Sequence, residues 1–171
     1  MGSNLVLDGL GGTEPVGAYT DDDDIVEIRH DILSFGVASF ESNPDLHTEA
    51  KRQIDRALDF GWYRQEAENR YANLTLVADW RTYPFDPAKM LNAATQITRL
   101  AALKVIELAF AYLKKEAEDN FAMLEKQFRE EYARELADVL KQGIDYDWNS
   151  NATIESTETK QVRNFRTLSR C

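Results

Sequence analysis

Cysteine is almost missing from this chain. One occurs in 171 residues, at the final position, Cys171. No disulfide can form within the chain, and a reducing compartment is expected. In that setting the glycosylation sequons at Asn73 and Asn151 carry little meaning. Long apolar runs are missing too, so no segment reads as a membrane span. The N-terminus lacks the basic-then-apolar pattern of a secretory leader. Catalytic signatures are equally scarce, with no nucleophile elbow and no zinc spacing. Gly9-Leu10-Gly11-Gly12 looks like a phosphate loop only superficially, since no hydrophobic strand precedes it and no lysine follows. An enzyme is not expected, and no catalytic residue, cofactor or metal ligand is assigned.

What the chain does have is an ordinary globular composition, 43% apolar and 29% charged. That is too hydrophobic for wholesale disorder, and the length suits one domain with a real core. The formal charge is -10 and the pI is near 4.7, which argues against a body that grips nucleic acid. The charge is unevenly placed. The last thirteen residues hold Lys160, Arg163, Arg166 and Arg170 and no acid, so they carry +4 and everything before them carries -14.

The chain divides into an N-terminal arm over 1–24, a helical bundle over 25–143 and an extended C-terminal docking arm over 144–171. The arm at the start is rich in glycine and ends in the acidic run Asp21 to Asp24, where negative charge suits the start of a helix. Ile25, Ile28, Ile32 and Leu33 share one helical face. A second helix, capped by Asp45 or Asn43, repeats Leu46, Ala50, Ile54, Leu58 and Trp62 every four residues. Residues 66–85 are ambiguous, with a short strand conceivable at Leu74, Leu76 and Val77. Asp86-Pro87 then predicts the start of a third helix. Its stripe runs through Met90, Leu91, Ala94, Ile97, Ala101, Leu108 and Tyr112, widened by Leu100, Val105 and Ile106, a breadth that implies contact on two sides. A fourth helix carries Phe121, Leu124, Phe128, Tyr132, Leu136, Val139 and Leu140, with Gly143 as a left-handed cap. The expected fold is all-α, a small bundle of about four helices.

Two spacings hint at metal chemistry. Asp145, Asp147 and Asn149 fit the first three ligand positions of a calcium loop, but Ser150 stands where the sharp turn needs glycine. Ser156 stands where the bidentate glutamate belongs. A polar turn whose aspartates bond local amides is the better reading. Glu27-Ile28-Arg29-His30 has the Glu-x-x-His spacing of a di-iron helix, yet that chemistry needs a second copy, and the only other histidine, His47, follows Pro44 too closely. The aromatic clusters Trp62-Tyr63 and Trp80 to Phe85 read as core or packed loop, with any surplus forming an interface patch.

The layout resembles the head-tail connector (adaptor, or head-completion) proteins of tailed bacteriophages. The likeness covers roughly residues 25–170. It rests on Asp31-Ile32-Leu33-Ser34-Phe35-Gly36-Val37 ahead of the Ala50, Ile54, Leu58 helix, and on Phe85-Asp86-Pro87. It is most specific in Tyr132-Ala133 followed by Leu140-Lys141-Gln142-Gly143-Ile144-Asp145-Tyr146-Asp147-Trp148, Glu155 and the basic tail. Ser150-Asn151-Ala152 departs from a turn that often has glycine after the aspartates in that family.

The resemblance implies a homo-oligomeric ring of about twelve copies beneath the portal, located in the virion neck and assembled in the host cytoplasm. Its partners would be the portal protein, a tail-side neck or tail-terminator protein, and copies of itself, with no membrane. DNA would pass through the channel without sequence-specific binding. Twelve copies would bear about -120 formal charges, which repels phosphates and lets a duplex slide. The C-terminal arm would run onto the portal, and its contact residues are expected to be Tyr146, Trp148, Val162, Arg163, Phe165, Arg166, Leu168 and Arg170. The alternative is a non-viral helical interaction or regulatory module that binds one protein partner through the same tail.

Overall fold

The computed structural model describes residues 17–71, 84–115 and 119–153. The described fold is all-α. Its helices are α1 (Asp22–Ile28), α2 (Leu46–Leu58), α3 (Arg64–Tyr71), the single turn α4 (Ala93–Gln96), α5 (Thr98–Leu113) and α6 (Asn120–Gln142). That is five helices of seven residues or more, where about four were expected. No described helix is long and apolar enough to cross a membrane.

The chain joins the bundle before residue 24. Asp21 caps α1, accepting from the amides of Asp23 at 3.0 Å and Asp24 at 3.1 Å, while the Asp24 carboxylate accepts from the Asp21 amide at 3.2 Å. This reciprocal box satisfies donors that a helix start leaves open. Tyr19 hydrogen-bonds Asp55 on α2, and the Lys51 ammonium sits 4.7 Å from the centre of its ring. Residues 17–21 are therefore part of the domain, and the expected arm over 1–24 is shortened.

Helix α1 stops earlier than the Ile25, Ile28, Ile32, Leu33 stripe implies. Arg29 leaves the helical region, Ile32–Phe35 form one 3-10 turn, and Gly36 ends it at φ 92°, ψ 11°. Ile25 and Ile32 are both fully buried nonetheless, because a turn can return them to the same side. Asp45 caps α2 through the Thr48 amide at 2.9 Å. The buried stripe Ala50, Ile54, Leu58, Trp62 lies where the four-residue repeat puts it.

Between α2 and α3 the helix widens into a π turn, Asp59–Tyr63. One extra residue per turn shifts the register, so Trp62 and Tyr63 are both buried while Phe60 is 60% exposed. Helix α3 then occupies the first part of the ambiguous 66–85 segment. The suggested strand at Leu74, Leu76 and Val77 lies outside the described residues.

The third helix does not begin at Pro87. Asp86 does cap, through the Ala88 amide at 3.0 Å, but only a 3-10 turn over Pro87–Lys89. Met90 is extended and bridges to Tyr146, flanked by Leu91 N–H to Asp145 O and Asp147 N–H to Lys89 O, both 2.9 Å. The backbone at 89–91 gives its hydrogen bonds to the C-terminal segment in place of a helix. The continuous helix starts at Thr98.

Helix α5 is the axle. Leu100 to Glu107 are all buried, with α1 and α2 packed against the helix and α6 antiparallel to it. Two clusters share it. One holds Ile54, Leu58, Trp62, Tyr63, Ile97, Leu100 and Tyr146; the other holds Ile25, Ile32, Phe40, Ala50, Ile106, Phe110 and Phe128. Each fully buried aliphatic or aromatic side chain removes about 1.5–3 kcal/mol of apolar exposure. The breadth of the α5 stripe is taken up by α1, α2 and α6 of the same chain, the contact on two sides that its width implies. Its expected outer members Ala94 and Tyr112 are exposed.

Candidate functional site

The site built by the C-terminal segment begins at Gly143. This residue adopts φ 89°, ψ 157°, a region open to glycine but not the left-handed helical cap expected of it. The chain leaves α6 extended and turns back onto the bundle. Gln96 of α4 spans the turn, donating to Gly143 O at 3.4 Å and accepting from the Asp145 amide at 3.1 Å. The Asp145 carboxylate accepts from Asn92 Nδ2 at 2.7 Å.

Ile144 and Tyr146 are thereby pulled into the core, with Tyr146 only 2% exposed. Its ring meets Trp62 edge-on at 5.7 Å, Trp148 at 4.9 Å and Phe85 at 5.9 Å. Its hydroxyl accepts from the Asp86 amide at 3.2 Å. Burial pushes the phenol well above its usual range. Trp148, half-buried, stacks on Tyr63.

These positions correct the expected division of the chain. Tyr146 and Trp148 are expected in the partner-binding arm; both are instead packed against the bundle, where Trp62 and Tyr63 offer them an aromatic surface to bury against. The expected boundary at 144 therefore does not separate bundle from arm. The other expected contacts, Val162, Arg163, Phe165, Arg166, Leu168 and Arg170, lie outside the described residues.

The acidic spacing after Gly143 is a polar turn. Asp147 Oδ1 accepts from the Asn151 amide at 3.0 Å and Oδ2 from the Ala152 amide at 2.9 Å. Asn149 Oδ1 also takes the Asn151 amide at 3.0 Å, and Asn151 Oδ1 takes the Thr153 amide at 2.9 Å. Ser150 and Ala152 hold positive φ of 61° and 57°, the local cost of the turn. Burial opposes ionisation of Asp147, but the amides of Ala152, Asn151 and Ser150 and the nearby Lys89 charge outweigh it and lower its pKa. Lys89 Nζ also donates to Ser150 Oγ at 3.0 Å. Asp145 thus accepts from Asn92, while Asp147 and Asn149 turn to backbone amides of the loop and share that of Asn151.

Glu27 and His30 do not share a helical face, since α1 ends at Ile28 and both side chains are exposed. His47 is fully buried and its Nε2 lies 3.0 Å from Asp22 Oδ1, tying α2 to α1. Among the described residues no three His, Cys, Asp or Glu side chains converge.

One feature escaped the sequence reading. Lys104 and Glu107 are buried on α5 and paired at 2.8 Å. Arg129 of α6 bridges Glu107, at 3.3 Å, to Glu125, and Lys114 reaches Glu125 at 2.5 Å. Lys104 lies 4.8 Å from the Tyr132 ring centre. Burial, then the Glu107 charge, push the Tyr132 phenol up to about 12. The available signal was two charges inside the widened apolar stripe of α5.

No family model, curated protein or solved structure matches this chain. The described residues define a helical bundle to which the segment after Gly143 is clamped by a buried aromatic, Tyr146.

Proposed function

We propose that this protein is a structural neck protein of a tailed bacteriophage. It forms a ring beneath the portal, joins the DNA-filled head to the tail and lines the channel through which DNA passes. The observation that carries the reading is the contrast between an acidic bundle and a basic sequence of +4 at its end, together with the docking of Tyr146 ahead of it. Tyr146 clamps the residues just before the basic segment to the bundle. A tail anchored in this way meets a partner with less entropy to lose than a wholly free one. The negative charge of the bundle suits a channel wall that repels phosphates. Val162, Phe165 and Leu168 would be the apolar anchors, with Arg163, Arg166 and Arg170 pairing with carboxylates of the portal.

The test is reconstitution with purified portal from the same genome, comparing the full chain with a chain ending at Thr153. Assembly of the full chain onto portal as a closed ring, lost on truncation, supports the reading. A defined small complex with an unrelated protein, and no association with portal, overturns it.

A further inference from the structure

We draw no further inference here: the strongest candidate, the apolar tip of the α5–α6 hairpin where Tyr112 and Met123 are 59% and 69% exposed beside the half-buried Phe35–Phe121 pair, carries nothing because nothing in the structure shows what covers it.

Discussion

The Tyr63 ring and the Trp148 indole lie parallel, their planes 1° apart and their centroids 5.3 Å apart. One belongs to the π turn after α2 and the other follows α6, so this stack joins the middle of the chain to its C-terminal segment. Tyr146 fills the space beside it, bridged to Met90. The segment from Ile144 to Trp148 is therefore a stabilising part of the bundle.

It follows that Tyr146→Ala removes core. A buried aromatic truncated to alanine costs about 3–5 kcal/mol through lost transfer energy and the cavity left behind. Urea denaturation of the variant should show that loss in the midpoint at an unchanged slope. A loss below about 1 kcal/mol would mean that the 144–148 segment is not docked in solution.

Acid should loosen the same segment through Asp147. Its folded pKa lies below the ordinary carboxylate value because backbone amides and Lys89 favour the charged form. A depressed pKa contributes stability that is fully present above the unfolded value, near 4, and is lost as pH falls through the folded one. Asp147→Asn should flatten the fall of unfolding stability below about pH 4 relative to the parent. An identical acid limb in both proteins would show that the turn forms without the carboxylate.

Much of this fold was legible in the residues, for identifiable reasons. Four-residue apolar repeats and the Asp45 cap announce α2, and the run from Phe121 to Leu140 announces α6, because local periodicity decides those elements. Asp86-Pro87 misled for a non-local reason. Its capping chemistry is real, but Met90 pairs with a residue 56 positions away, and no local pattern encodes that. Tyr146 and Trp148 are expected as contacts of the C-terminal arm, and nothing local in their sequence points inward. Their burial depends on Trp62 and Tyr63, which a π turn brings inward together.

Glycine positions offer a paired test. Gly36 has φ 92° with open space around an added Cβ, so Gly36→Ala should cost about 1–2 kcal/mol through backbone strain alone. Gly61 has no positive φ, and an added Cβ would touch Leu140 Cδ1 at an ordinary 3.8 Å. Gly61→Ala should therefore stabilise by about 0.5–1 kcal/mol. Opposite shifts in thermal midpoint are expected, and a destabilised Gly61→Ala would count against the packing of the π turn on α6.

The buried pair between Lys104 and Glu107 makes a fourth stability prediction. Their side chains are 11% and 8% exposed, so removing one partner strands the other away from water. Glu107→Leu alone should cost about 3–5 kcal/mol. Lys104→Met combined with Glu107→Leu should recover most of that, since an apolar replacement carries no desolvation penalty. A double variant as unstable as the single one would show that packing around Tyr132, not charge, sets the cost.

The last prediction separates docking from folding. If residues 154–171 form the portal-binding arm, Phe165→Ala should weaken association with portal by about 2 kcal/mol, the scale of a buried aromatic anchor. Arg163→Ala with Arg166→Ala should chiefly slow association and reduce its salt dependence, because exposed charges steer encounter more than they hold the complex. Neither change should move the unfolding midpoint, whereas Tyr146→Ala should, since its ring lies in the core. Surface-plasmon kinetics on immobilised portal, run beside thermal melts of the same three variants, read both effects. A Phe165→Ala protein that binds portal normally would remove the arm from the interface. One that melts early would make Phe165 part of the bundle and overturn the separation of anchor and arm at Thr153.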